Sequence, residues 1–255
     1  MSVYLVPLLT VSLGLNAPSL ADMPTDLRSA AFSSHSLWAG RPSNLGYPRD
    51  GTRRGGGSRG GVCDLSPGTS PLTALMPDTA TWTDEVQPTL PDIVYSLTQQ
   101  PAPDLWIYLP YRLEEASQLR FTLKDDAGNQ LVRGQLDPAE PLPAATHIME
   151  VALGDLGVNL SPDRDYHWYV TVTCGQGPPV VVDGWLKHQP ERSDEDPSHG
   201  FFVDDLSSLA QSQQTNPDDG VAQSAWQELL NAVGLEDIAA APIADCCRFI
   251  KLPQN

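Results

Sequence analysis

The chain has 255 residues and a formal net charge of −17, from 32 acidic against 15 basic side chains. That balance excludes nucleic acid as a partner of the chain as a whole, because a phosphate backbone is gripped by clustered Lys and Arg. The length suffices for one large domain or two small ones whose core needs no cofactor, and 24 Pro with 20 Gly argue against a long helical bundle.

Residues 1–21 carry no charge, and residues 3–15 are mostly apolar. Ser19-Leu20-Ala21 then places small residues at −3 and −1 before Asp22, the layout of a secretory signal peptide, although no Lys or Arg follows Met1. The apolar run is too short to span a bilayer, and no later stretch approaches about 18 apolar residues. An exported chain without a transmembrane segment is therefore expected, periplasmic or secreted after cleavage near Ala21.

Residues 22–62 are rich in Ser, Gly, Pro and Arg, with six Arg against three Asp, a net of +3, whereas residues 63–255 carry a net of −20. The run from Arg53 to Gly61 holds glycines and arginines but lacks the GxxxxGK[ST] pattern of a phosphate-binding loop. This stretch reads as a flexible arm. Its Arg53, Arg54 and Arg59 are candidates for contact with the acidic body or with an anionic partner.

Residues 63–190 read as β structure. Leu105-Trp106-Ile107-Tyr108-Leu109 is a short aromatic strand stopped by Pro110. Leu119, Phe121 and Leu123 alternate with polar residues and lead through Asp125-Asp126-Ala127-Gly128-Asn129 into Leu131-Val132, a hairpin signature that lacks the ligand rhythm of a calcium loop. His147, Met149, Val151 and Leu153 alternate with Ile148, Glu150 and Ala152. Tyr166, Trp168, Val170, Val172 and Cys174 share one strand face, and the Leu-x-Pro lead-in to Tyr-x-Trp resembles the tyrosine corner of immunoglobulin-like and fibronectin-like domains. A strand from Val180 to Leu186, containing Trp185, is expected beside it. The fold class is mainly β: an immunoglobulin/fibronectin-like antiparallel sandwich of five to seven strands with a C-terminal helical hairpin.

Residues 191–199 form an acidic linker. Within 200–247, Phe202, Leu206, Leu209 and Ala210 stripe one helix; Ala222, Ala225, Trp226, Leu229, Leu230 and Val233 stripe a second, ended by Gly234. A short third helix over residues 235–240 and a tail over 248–255 complete the chain. The stripes are expected to pack on the sandwich, with Tyr166, Trp168, Trp185 and Trp226 structural.

Four cysteines allow three pairings. Adjacent cysteines do not easily bridge each other, because a disulfide spans more than one peptide step, so Cys63–Cys174 is favoured. Cys246 and Cys247 are left with each other, a partner chain or solvent.

The chain resembles a cyanobacterial family known as domain of unknown function 928. The resemblance is carried by the arginine–glycine run before Cys63, Leu72-Thr73-Ala74-Leu75-Met76-Pro77 and Trp106-Ile107-Tyr108-Leu109-Pro110-Tyr111. It continues through Tyr166-x-Trp168-Tyr169 to Cys174, Gly184-Trp185 and Trp226-x-x-Leu229-Leu230-x-x-Val233-Gly234-Leu235. It covers residues 50–247 and implies an exported cyanobacterial protein without assigned catalytic residues.

A GxSxG on a strand–turn–helix element, as a serine hydrolase needs, is not present, HExxH is absent, and His35, His147, His167, His188 and His199 form no spaced ligand pair. No catalytic, cofactor or metal residue is expected. The function expected is a non-catalytic exported binding or adaptor protein of the cell envelope, with an envelope protein or glycan as partner. The alternative is an envelope hydrolase whose carboxylates converge only in the fold.

Overall fold

A computed structural model describes residues 51–55, 63, 65, 68–78, 93–111, 118–137, 146–190, 201–244 and 246–253. The expected signal peptide, most of the arm including Arg59, and the 191–199 linker lie outside the described residues. Among the described residues, nine strands and two helices follow in chain order. They are β1 Thr73–Ala74, β2 Tyr95–Thr98, β3 Asp104–Leu109, β4 Gln118–Asp125, β5 Gln130–Leu136, β6 His147–Ala152, β7 Asp165–Thr173 and β8 Val180–His188, then α1 Phe202–Thr215, α2 Gly220–Ala232 and β9 Phe249–Lys251.

The fold is mainly β, with two sheets and two C-terminal helices. The small sheet has the order β1-β3-β6 and the large one β2-β8-β7-β4-β5-β9. Between these strands every pairing is antiparallel except that of β2 with β8. Period-two alternation sends Leu105, Ile107 and Leu109 of β3 and Met149 and Val151 of β6 into one buried cluster with Phe121, Trp168, Val170 and Val172 of the large sheet. The alternate residues Trp106, Tyr108 and Ile148 join Phe202, Leu206, Trp226 and Leu230 of the helices in a second cluster. The small sheet is thus a middle layer covered on both faces, which is why β3 is apolar at consecutive positions where β4 alternates.

Local chemistry matches several sequence signals. Asp125 accepts hydrogen bonds from the backbone N–H groups of Ala127 and Asn129 and closes the β4–β5 hairpin. The Asp219 side chain caps α2 by accepting from the N–H groups of Val221 and Ala222. The Ser161 N–H donates to the Tyr166 hydroxyl at 2.8 Å, tying β7 to the corner before it. Gly184 stands opposite Trp168 across the β7–β8 ladder. A Cβ at Gly184 would lie 2.7 Å from Trp168 Cζ2 and 2.8 Å from Val94 Cγ1, so the indole occupies the space of the missing side chain.

Three expectations need correction. Residues 51–55, expected in a flexible arm, are joined to the body: Thr52 bridges Asp183 of β8 and Arg54 bridges Thr73 of β1. Residues 248–255, expected as a tail, contain β9, which pairs with the open edge of β5. The third helix over 235–240 is a pair of tight turns, with the N–H of Ile238 bonded to the carbonyl of Leu235 and that of Ala241 to Ile238. Of the three outcomes left open for Cys246 and Cys247, the structure has the first: they form a disulfide with Cα atoms 3.7 Å apart, and Cys247 sits at φ 76°. Cys63 and Cys174 form the other, with Cα atoms 5.2 Å apart, tethering the segment before β1 to the end of β7.

Candidate functional site

Two of the three arginines proposed for an anionic partner are engaged within the chain. Arg53 Nε lies 3.0 Å from Asp78 in a pair only 11% and 13% exposed, and its Nη1 donates to the Val233 carbonyl at 2.6 Å. Arg54 forms a two-pronged pair with Asp237, 2.7 Å on each prong. That bonding, with a further bond from Ser70, holds the Asp237 carboxyl down at about 2. The arginines therefore fasten the start of the domain to the turns after α2; Arg59 lies outside the described residues.

The chemistry that sequence reasoning missed lies along β6, an outer strand of the small sheet. Ile148 exchanges backbone hydrogen bonds with residues 242 and 244, so the chain leaving the helices runs along this edge before β9 crosses to the large sheet. An open cavity of about 430 Å³ forms between strand and crossing segment, lined by Glu150, Ala152, Asp155 and residues 246–249. Glu150 shares a hydrogen bond with Asp104, its diagonal neighbour on β3. Burial raises both carboxyls; Asp104's charge and hydrogen bond add to the rise at Glu150, which reaches about 7, while the same bond lowers Asp104. Glu150 accordingly holds the shared proton. Asp155 lies 3.6 Å from Arg248 on the exposed rim.

The Cys246–Cys247 disulfide forms part of this lining. Behind it, His147 is 3% exposed, with Nε2 at 3.6 Å from Cys247 Sγ and 3.9 Å from Cys246 Sγ. No spacing rule could join these residues, because His147 precedes the cysteines by 99 and 100 positions. The other strand histidines do not converge. His188 is buried with Nδ1 on the Leu160 carbonyl, whereas His167 lies on the opposite face of the large sheet. There it bridges Asp183 at 2.7 Å and the Tyr169 hydroxyl at 2.8 Å and stacks on Trp185 at 4.2 Å.

A second open cavity, of about 630 Å³, lies where the end of α1, one face of α2 and residues 239–243 meet. Gln213, Gln214, Gln223 and Gln227 face it, together with Thr215 and Trp226, and among the described residues none that lines it is ionisable. Trp226 itself is 2% exposed, and its indole N–H donates to the Ala239 carbonyl at 3.0 Å.

The model of a family described as Domain of Unknown Function (DUF928) matches residues 54–243. The chain belongs to the DUF928 family. No curated protein and no solved structure matches it. The DUF928 match begins at Arg54, whose ion pair fastens the start of the domain, and takes in both carboxyls of the Asp104–Glu150 pair, His147 and the glutamine-lined cavity. Cys246 and Cys247 follow it by three and four residues. The Glu150 signal was present in the sequence as an acid inside an otherwise apolar strand, Ile148-Met149-Glu150-Val151. Burial of an unpaired carboxylate is costly enough that such a position calls for a partner, here Asp104.

Proposed function

We propose that this DUF928 chain is an exported, non-catalytic binding protein of the cyanobacterial cell envelope whose ligand is an uncharged glycan. Export is supported by the uncharged N-terminal 21 residues ending in Ser19-Leu20-Ala21 and by the pairing of Cys63 with Cys174, a bond suited to an oxidising compartment. The immunoglobulin-like reading of the two sheets rests on the Ser161–Tyr166 corner.

One observation carries the ligand class. In a chain of net charge −17, the cavity between the helices and residues 239–243 is lined, among the described residues, by four glutamines and no ionisable side chain. Glutamine amides both donate and accept, as hydroxyl-rich neutral ligands require. The Nε2 atom of Gln213 is a buried donor without a hydrogen-bond partner among the described residues. An array of neutral and anionic envelope oligosaccharides tests this. Capture of neutral members, unchanged between about 0.05 and 0.5 M salt and weakened by Gln223→Glu or Gln227→Glu, is expected. Capture of anionic members only, or capture indifferent to both substitutions, refutes it.

A second reading, an envelope hydrolase, is favoured by Glu150 alone, since a general acid must hold a proton at its working pH; Asp104, hydrogen-bonded to it, stands too close to serve as the opposing carboxylate of a glycosidase. Glycan hydrolysis abolished by Glu150→Gln would establish it in place of simple binding.

A further inference from the structure

We propose that His147, Cys246 and Cys247 form a redox-gated site for a thiophilic closed-shell cation, Zn(II) or Cu(I), closed while the two cysteines are bonded and opened by a dithiol reductant. The ligand atoms of these three residues lie within 4.8 Å of one another. His147 Nε2 points at both sulfurs, 3.6 and 3.9 Å away. Across a tetrahedral centre with metal–sulfur bonds of about 2.3 Å and metal–nitrogen bonds of about 2.0–2.1 Å, nitrogen and sulfur stand about 3.5 Å apart. The imidazole is therefore already placed for ligation, and only the sulfurs need separate.

Two features beyond the cluster support a site. The cavity of about 430 Å³ reaches both cysteines and gives a cation a path from solvent. Its wall carries Glu150 and its rim Asp155, acidic groups that draw cations inward. The donor set selects the class: two thiolates and an imidazole suit Zn(II) and Cu(I), whereas Mg(II) and Ca(II) want oxygen. Three protein ligands beside an open cavity leave a coordination position for water or an incoming ligand.

The redox step balances simply. A dithiol donor passes two electrons and two protons to the Cys246–Cys247 bond, giving two thiols, and is itself oxidised to a disulfide. The cation then displaces both thiol protons and bonds to two thiolates and His147 Nε2. Loss of the cation and removal of two electrons and two protons by a disulfide oxidant restores the bond.

The full chain is the test material, loaded with Zn(II) alone or Cu(I) alone in the oxidised form and after phosphine reduction under argon. Bound metal is counted by mass spectrometry, and its ligands are read by X-ray absorption. One cation per reduced chain is expected, with two sulfurs at about 2.3 Å and one nitrogen at about 2.0 Å for zinc, and none in the oxidised chain. The Cys246→Ser/Cys247→Ser double variant retains Cys63 and Cys174 and so subtracts any binding by the other reduced pair. It should lose the cation. His147→Gln should weaken binding by at least about 10-fold, since outer-shell changes alone reach that size. If His147→Gln disturbs folding, the nitrogen in the wild-type absorption spectrum decides in its place. Equal loading of oxidised and reduced chains, loading kept by the double variant, a sulfur-only shell, or no uptake of either cation would each overturn the proposal.

Discussion

Replacing Glu150 by Gln should make the protein more stable at neutral pH and leave it nearly unchanged in acid. Glu150 rises from 4.5 to about 7 in the folded state, chiefly through burial and then through the charge of Asp104. The folded chain therefore binds a proton that the unfolded chain releases. Below pH about 4.5 both states are protonated and the group is neutral in the balance. As pH climbs from there through about 7, the folded state is progressively penalised, and above about 8 the penalty is complete.

At about 1.36 kcal/mol per pH unit, the full shift corresponds to about 3 kcal/mol. Glu150 borders an open cavity, so screening by water reduces the expected penalty to about 1–2 kcal/mol. A glutamine amide at this position would keep a donor toward Asp104 without the titration. Urea unfolding of wild type and Glu150→Gln across pH 4.5–9 measures the difference directly, and groups common to both cancel. The two curves should coincide near pH 4.5 and separate by about 1–2 kcal/mol by pH 8, the variant lying higher. Curves that stay parallel across that range would refute the shared-proton account of Asp104 and Glu150.

Other substitutions separate the remaining claims. Arg53→Ala breaks a nearly buried pair with Asp78 and should cost about 3–5 kcal/mol in chemical denaturation, whereas Arg54→Ala, in a more exposed pair, should cost below about 1 kcal/mol; equal effects would contradict the described burial. Asp237, held at about 2, contributes stability that is present above its unfolded value near 4 and lost as pH falls through about 2; acid titration of Arg54→Ala should show that loss diminished. Gly184→Ala forces a Cβ against Trp168 and Val94 and should cost about 1–3 kcal/mol, read as a lower melting temperature; an unchanged melting temperature would mean the ladder yields freely there. Cys63→Ala/Cys174→Ala opens a loop of 111 residues and should cost up to about 5 kcal/mol, whereas a loss near zero would show the tether to be slack.

Much of the secondary structure was legible because its signals are local. Alternation at Leu119, Phe121 and Leu123 marks β4, and the Asp125–Asn129 turn marks the hairpin that follows. Asp219 marks a cap, and the Phe202 and Trp226 stripes mark two helices. In each case a residue a few positions away supplies the deciding contact. Local signals failed where one more element decided the outcome. Residues 235–240 have helical periodicity but tighten into turns, and Phe249–Lys251 is too short to show a pattern and becomes a strand only because β5 offers an unpaired edge.

The sequence by itself determined which faces of the strands and helices are apolar, and hence that a mainly β body carries a helical pair. Only the tertiary structure decided which faces meet. It covered the small sheet on both sides, brought Arg53 to Asp78, set Asp104 diagonal to Glu150, and carried Cys246 and Cys247 back to His147 across about a hundred residues. Periodicity along a chain records where a side chain points relative to its own backbone. The partner it finds depends on sheet order and crossing connections, and those are settled by packing all the layers at once.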